Sequence, residues 1–252
     1  FADLMFRSIS FNRDGDVTHF YWNFYEPMMK KIINDVAKNP IKDEEKQTEQ
    51  NSRINGDSFE IKVGDDWQKF TVKGFNINGE MPGNGQYEYS RDYESYLSLI
   101  NSVKDMNGNC IRTYDVLPPE FYRALSEVNR SLKEPIYLLQ GVMTPTDVTA
   151  DESIEKREEI KKNISEAIKA VHGNGNVFGY DNRKTMSYNF DVAKYCIGYV
   201  IDPKIDGAAA DRLIADNADY KYDGEYISGS RNAVEALSAE LCDHALKSQK
   251  DI

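Results

Sequence analysis

The sequence predicts an α/β protein, because apolar strands alternate along the chain with amphipathic helices. The four strands are expected at residues 70–77, 110–116, 135–143 and 195–202. A repeated strand–helix order is typical of a parallel sheet, since each helix returns the chain to the end where the next strand begins. Open doubly wound sheets and closed barrels both fit this order.

Helical periodicity supports the second half of each strand–helix unit. The helices are expected at about 91–107, 119–132, 151–172 and 230–248. Ser90 is the expected N-cap of the first helix and Gly108 its stop, while Pro118 and Pro119 begin the second. The stretch between the last strand and the last helix is expected to be irregular.

The residues before the first strand predict an extension followed by a hairpin. Apolar residues recur at near-helical spacing between 26 and 38, and a charged connector follows. Apolar and polar residues alternate from Phe59 to Val63 and then meet a glycine turn, which predicts a β-hairpin. We therefore interpret residues 1–55 as an N-terminal extension and 56–252 as the main domain.

The composition argues against several classes of function. The formal net charge is −11 and no basic run occurs, so a nucleic-acid partner is not expected. Cys110, Cys196 and Cys242 are far apart and the three histidines are scattered, so we expect neither a disulfide framework nor a metal site. No glycine-rich phosphate loop follows a strand, and no cofactor is expected.

The sequence contains neither a membrane span nor a recognisable targeting segment. A span needs roughly 20 consecutive apolar residues, and no segment approaches that length. No signal-peptide pattern is found either. Because the chain begins with Phe1 and not with Met, we interpret it as a processed or trimmed chain, whose leader or membrane anchor would lie outside this sequence.

Four short motifs in a fixed order carry a resemblance to a known group of enzymes. They are Lys73-Gly74-Phe75-Asn76, Asn107-Gly108-Asn109, Ile111-Arg112-Thr113-Tyr114 and Pro118-Pro119-Glu120-Phe121-Tyr122. The series resembles the N-terminal half of a (β/α)8 barrel of glycoside hydrolase type, within the clan of retaining glycosidases. It looks close to bacterial extracytoplasmic proteins of this type and is more distantly similar to the fungal β-1,3-glucanosyltransferases.

The resemblance implies a TIM-barrel type of fold of which four βα units are present, after an N-terminal helix and a hairpin. A closed barrel needs eight strands, so the rest would come from the same polypeptide or from a second chain, or this half would pack as a compact open sheet. The implied function is that of a glycoside hydrolase or transglycosylase acting on an extracellular or cell-surface polysaccharide. The mechanism would be retaining and would need no metal.

The resemblance also implies where the site lies, since barrel enzymes carry it at the carboxyl ends of the strands. Arg112 would hold a nucleophilic carboxylate, because a guanidinium fork suits that task. The alternative is that Arg112 pairs with a neighbouring carboxylate for stability alone. Tyr114 and Asp115 would line the sugar pocket. Asn76 would bind a sugar hydroxyl or cap a turn, and Gln140 would face the barrel mouth or support a neighbouring loop.

One departure from the family pattern leaves the activity open. The fourth strand, "CIGYVIDP", has no glutamate where the clan keeps its acid/base, and Asp202 is the only carboxylate there. Asp202 is either a substitute proton donor or a turn-starting residue. The alternative function is therefore a non-catalytic carbohydrate-binding or assembly protein on a degenerate glycosidase scaffold. A barrel enzyme of another chemistry, such as a phosphosugar enzyme, is a third alternative.

Overall fold

The computed structural model describes residues 50–78, 89–145, 148–178 and 185–252. The chain divides into two compact units, Phe1–Gln47 and Thr48–Ile252, and every described residue belongs to the second unit. The helix predicted between 26 and 38 lies outside the described residues. The division of the chain after residue 55 stays a prediction.

Strands and helices alternate in the second unit. In chain order the strands of the described residues are β1 (Ser52–Asn55), β2 (Ser58–Val63), β3 (Asp66–Lys69), β4 (Gly74–Ile77), β5 (Cys110–Thr113), β6 (Tyr137–Met143), β7 (Gly175–Phe178), β8 (Thr185–Tyr188), β9 (Cys196–Asp202), β10 (Tyr222–Asp223) and β11 (Ser228–Gly229). The α-helices are α1 (Tyr93–Asp105), α2 (Pro119–Arg130), α3 (Arg157–Val171), α4 (Gly207–Asp216) and α5 (Ala233–Lys250).

A parallel sheet lies at the centre of this unit. β4, β5, β6 and β9 pair side by side in that order, and each pair is parallel. The α/β class predicted from the sequence is therefore confirmed, and so are the four predicted strands. Since all four strands point the same way, their carboxyl ends meet at one edge of the sheet.

The helices supply the main hydrophobic core on one face of the sheet. Buried apolar residues of α1, α2, α3 and α5 pack together with Ile77, Ile111, Leu138 and Val142 from the strands. The amphipathic patterns of the sequence produce this arrangement, because each helix buries one apolar stripe against the sheet. α4 falls in the stretch that was expected to be irregular, so that expectation was wrong.

The end of α1 differs from the prediction that Gly108 ends this helix. Asn107 and not Gly108 has the left-handed backbone, with a φ of 57°. The amides of Asn107 and Gly108 donate to the carbonyls of Lys104 and Val103, each at 2.8 Å, as in a Schellman motif. Gly108 is needed for a different reason, since a Cβ there would lie 2.6 Å from Cγ1 of Val103.

The start of α1 also differs from the prediction. Asp92 is the N-cap, and its carboxylate accepts a 3.0 Å hydrogen bond from the amide of Ser95. Ser90, the predicted cap, instead accepts from the amide of Asp92. Asp92 is the N-cap because its side chain lies three residues before an amide of the first turn that has no acceptor within the helix.

The antiparallel strands β1, β2 and β3 form a small sheet that packs on the other face of the parallel sheet. Its β2–β3 hairpin confirms the hairpin predicted from the sequence. Phe59, Ile61 and Phe70 pack with residues near the amino ends of the parallel strands: Cys110, Tyr137 and Ile197. The rings of Phe70 and Tyr137 lie 5.2 Å apart. This small sheet therefore covers the amino half of the face that the helices leave free.

Candidate ligand-binding face

Side-chain alternation along the strands separates the predicted site residues into two groups. Asn76 of β4 and Arg112 of β5 are in register, so their side chains lie on the same face of the sheet. Tyr114 follows two residues later on that face, and its ring centre lies 5.0 Å from Cζ of Arg112. This face is the one opposite the helices. Cys110 lies two residues before Arg112 on β5, so its side chain points to the same face, and it packs on the β1–β3 sheet.

The carboxyl half of this surface is the candidate site. We call it the strand-end face and define it by the side chains of Asn76, Arg112, Tyr114, Met143 and Asp202, the last two paired in register on β6 and β9. Tyr114 is 45% exposed, Asn76 and Asp202 are exposed, and Arg112 and Met143 are half-buried. An aromatic ring, an amide, a guanidinium and a carboxylate are thus presented at the carboxyl ends of parallel strands.

Arg112 lies on this face without a counter-ion among the described residues. Its Nε is shielded from solvent and has no hydrogen-bond acceptor in the part of the chain that the structure describes. A guanidinium remains charged at every physiological pH, so a shielded nitrogen without an acceptor costs free energy. The stack on Tyr114 holds the guanidinium in place.

Gly141 is a site residue that the sequence analysis missed. Its amide donates a 3.1 Å hydrogen bond to Oγ1 of Thr113. A Cβ at this position would lie 2.2 Å from the carbonyl oxygen of Thr113, so only glycine permits the two strands to approach here. A glycine inside an apolar strand is the signal that could have indicated this close approach.

Gln140 faces the helix layer and not the strand-end face. It is fully buried, and its Oε1 accepts a 2.8 Å hydrogen bond from the hydroxyl of Tyr122 in α2. Its Nε2 donates to the carbonyl oxygens of Asp115 at 3.0 Å and Gly141 at 2.8 Å. Two roles were considered for Gln140, facing the barrel mouth and supporting a neighbouring loop. Its contacts in the structure correspond to the second role.

Asp115 is also separated from Arg112 and Tyr114, although it follows them directly. It is 2% exposed, and its Oδ1 accepts from the amide of Val116 at 2.6 Å. Burial raises the pKa of the Asp115 carboxyl to about 7, and the hydrogen bonds from Val116 and Tyr89 only partly oppose this. Asp115 does not line the strand-end face as the resemblance implies, but it titrates close to neutral pH.

Asp202 is exposed at the end of β9 and starts a turn. Its Oδ1 accepts a 2.8 Å hydrogen bond from the amide of Lys204, whose φ is 57°. Its backbone carbonyl accepts from the hydroxyl of Thr144, which joins the ends of β9 and β6. This is the turn-starting role that the sequence analysis considered beside that of a proton donor.

Register separates Asp202 from Arg112. Arg112 is level with Leu139 on β6, and Leu139 is level with Gly198 on β9. Asp202 comes four residues after Gly198, which corresponds to roughly 13 Å along the strand. The two side chains therefore do not form an ion pair.

A second cluster of charged residues lies between α3 and α5, and the sequence analysis did not predict it. Glu240 is 6% exposed and binds Lys161, Arg157 and the hydroxyl of Tyr220. Each charge in this group has a partner, so the cluster fixes α5 to α3 and offers no free group for chemistry.

Asp243, one turn further along α5, fastens the loop that carries β10 and β11. Its carboxylate is fully buried and accepts from the amides of Tyr226 and Ile227 and from the hydroxyl of Tyr222. Lys247 lies 2.8 Å away and completes the set. This residue is structural, because all of its donors belong to one loop and one helix turn.

The described residues were also considered for a metal site and for a membrane-spanning helix, and the whole chain for similarity to known proteins. Within the described ranges, no three His, Cys, Asp or Glu side chains are grouped so that they could hold a metal ion. The same ranges include no helix with the length and apolar character required to cross a membrane. No protein-family model, curated protein or solved structure matches this chain.

Proposed function

We propose that the protein binds a carbohydrate on its strand-end face, on a scaffold of the (β/α)8-barrel type. The observation that carries the proposal is the exposed ring of Tyr114 beside Arg112 and Asn76 at the carboxyl ends of parallel strands. Ligands of α/β proteins bind at this end of the sheet. A sugar ring has apolar C–H faces that pack on an aromatic ring, and hydroxyls that bind amides and guanidinium groups.

The order of the strands supports the barrel part of the proposal. β4, β5, β6 and β9 pair in the order in which they occur in the chain, and one helix layer covers one face. A doubly wound sheet reverses its strand order at a switch point, whereas a barrel does not. The remaining strands would be supplied by the same polypeptide or by a second chain. A polysaccharide at a cell surface or outside the cell is the partner that this proposal implies.

Glycoside hydrolysis by a retaining mechanism is the second candidate, and Asp115 favours it. A carboxyl with a pKa of about 7 is suited to donate a proton near neutral pH. The mechanism, however, needs two carboxyl groups about 5 to 5.5 Å apart. Asp115 is buried towards the helices and Asp202 is exposed at the opposite face, so we place binding ahead of hydrolysis.

The experiment is affinity electrophoresis of the full chain in gels that contain soluble β-glucan, xylan, mannan or pectin. We expect at least one polysaccharide to retard the protein, and Tyr114→Ala to weaken that retardation by up to about tenfold, because a stacked aromatic ring contributes roughly 0.5 to 1.5 kcal/mol. Phe75→Ala is the matched control, since Phe75 is 40% exposed but lies on the helix side of β4, in register with Ile111.

Two results would count against the proposal. Absence of retardation by every polysaccharide contradicts carbohydrate binding. Equal loss in Tyr114→Ala and Phe75→Ala contradicts the location of the site. Release of reducing sugar that disappears in Asp115→Asn or Asp202→Asn would instead favour hydrolysis.

A further inference from the structure

Arg112 differs in one respect from the other arginines that stack on aromatic rings. Three other described arginines lie over a ring, at the following distances from Cζ to the ring centre: Arg53 over Trp67 at 4.3 Å, Arg123 over Tyr93 at 4.2 Å and Arg157 over Tyr220 at 5.8 Å. Each of these also pairs with a glutamate: Glu60 at 2.7 Å, Glu127 at 2.9 Å and Glu240 at 3.3 Å, respectively. Arg112 has the ring but, among the described residues, no carboxylate.

Neither of the two described carboxylates considered above, Asp115 and Asp202, pairs with Arg112. Asp115 is buried towards the helices, and its Oδ1 is bound to the amide of Val116. Asp202 stands roughly 13 Å further along the sheet. Among the described residues, the strand-end face therefore carries a positive charge at Arg112 that no carboxylate pairs, in a chain whose formal net charge is −11.

A carboxylate is the group that this arrangement fits. Because Arg112 is half-buried and its Nε is shielded from water, an ion pair there is screened less than one at an exposed site. The planar fork of the guanidinium binds a carboxylate through two parallel hydrogen bonds. The contact with the ring of Tyr114 restricts the guanidinium before a ligand binds, so less side-chain freedom is lost on binding.

We propose that Arg112 binds the carboxylate of an acidic saccharide, so that the ligand is a glycan that contains uronic acid. This inference rests on the proposed carbohydrate-binding function and adds the charge of the ligand to it. A uronic acid carries its carboxylate on the same ring that would pack on Tyr114. Asn76 is in register with Arg112 on the next strand, about 5 Å away, where it reaches a hydroxyl of that sugar.

The test compares an acid with its methyl ester, in which each carboxylate has lost its charge and gained a methyl group. Trigalacturonate and its fully methyl-esterified form are titrated into the full chain by calorimetry, and the corresponding glucuronate pair is titrated in parallel. We expect one of the acids to bind at least tenfold more tightly than its ester, because a hydrogen bond to a charged group is roughly twice as strong as one between neutral groups. Sodium chloride should weaken the binding of the acid and leave that of the ester unchanged.

Substitutions of two arginines that stack on aromatic rings test whether the preference for the acid depends on Arg112. Arg112→Gln should remove the preference for the acid, and Arg112→Lys should retain only part of it, because an ammonium lacks the fork. Arg123→Gln is the matched control, since Arg123 has the same kind of stack but already binds Glu127. It should leave both affinities unchanged. Circular dichroism establishes that each variant is folded, and the comparison of acid with ester on the unaltered chain needs no variant.

Each other outcome has a defined meaning. Equal affinity for acid and ester overturns the inference and leaves the carbohydrate-binding function standing. The same holds if neutral polysaccharides bind and neither acid does. If acetate competes as effectively as the trisaccharide acids, the site binds any carboxylate and the inference is overturned. If no saccharide of either kind binds, both the inference and the proposed function fail.

Discussion

The backbone of Tyr114 lies directly against Gly141. A Cβ built on Gly141 would stand 2.5 Å from the carbonyl carbon of Tyr114 and 2.6 Å from its carbonyl oxygen. The chain at the end of β5 therefore approaches β6 closely beside a residue that has no side chain. Because this close approach sets the backbone path at Tyr114, we infer that a glycine on one strand positions the exposed aromatic residue that follows another.

Gly141→Ala should therefore affect both stability and binding. The added methyl group meets backbone atoms that cannot rotate away, and such overpacking costs about 1 to 3 kcal/mol. The displaced Tyr114 should also reduce retardation in polysaccharide gels. Urea unfolding measures the first effect and affinity electrophoresis the second.

Gly198→Ala is the matched control for this prediction. Gly198 lies on β9, and a Cβ there would meet only Cδ2 of Leu139, at 3.3 Å. That atom is the end of a flexible side chain, so we expect a loss below about 1 kcal/mol. Equal losses in the two variants would contradict the close approach at Gly141.

The hydrogen bond between Tyr122 and Gln140 should be visible as a coupling free energy. Tyr122→Phe leaves Oε1 of Gln140 buried without its donor, and we expect a loss of about 1 to 3 kcal/mol. In a Gln140→Met background the same change should cost less by about 1 kcal/mol, because the acceptor is already gone. Denaturant unfolding of the four proteins in this cycle gives the coupling, and strict additivity would contradict the interaction.

Asp115 should make stability fall as the pH rises from about 4 to about 7. Its ordinary pKa is 3.8, and burial raises the pKa in the folded chain to about 7. Between these values the folded protein retains a proton that the unfolded chain releases, so stability decreases with increasing pH. One unit of pKa shift corresponds to about 1.4 kcal/mol, so the full change is at most about 4 kcal/mol.

Asp115→Asn isolates this contribution from the other titrating groups. The variant cannot ionise, and its side-chain oxygen can still accept from the amide of Val116. We expect its stability to gain on that of the unaltered chain steadily as the pH rises from 4 to 7. Urea unfolding at several pH values measures the difference, and a difference that stays constant would refute the buried, protonated carboxyl.

Asp243 should have the opposite effect on stability, which should fall as the pH is lowered, over a more acidic range than for Asp115. Burial alone would raise its pKa, but the hydrogen bonds from Lys247, Tyr226, Tyr222 and Ile227 together lower the pKa to about 2. Its contribution is therefore complete above the ordinary value of 3.8 and is lost as the pH falls towards 2. Thermal unfolding below pH 4 measures this loss.

At neutral pH, Asp243→Asn should cost about 3 kcal/mol, because Lys247 and two backbone amides lose a charged acceptor. The loop around Tyr226 should also become sensitive to proteolysis. Asp216→Asn, at an exposed position at the end of α4, is the control and should change stability by less than about 0.5 kcal/mol. A similar small change in Asp243→Asn would show that the loop is held by other contacts.

Much of the fold was predictable from the sequence because its signals are local. Apolar residues at helical spacing predicted α1, α2, α3 and α5, and apolar runs predicted the four parallel strands. α4 was missed because it is short and buries only Ala209 and Leu213, and β1 was missed because it is mostly exposed. The strands β7, β8, β10 and β11 were not predicted either, because two to four residues are too few to show an alternating pattern.

The sequence by itself determined that Arg112 and Tyr114 share a face, since residues two apart on a strand do so. It could not determine that Gln140 faces the helices, because β6 is apolar on both sides and gives no alternating pattern. Nor could it determine that the carboxyl of Asp115 is buried while Tyr114 is exposed. Those facts depend on which helix and which neighbouring strand cover each residue, and only the tertiary structure brings these elements together.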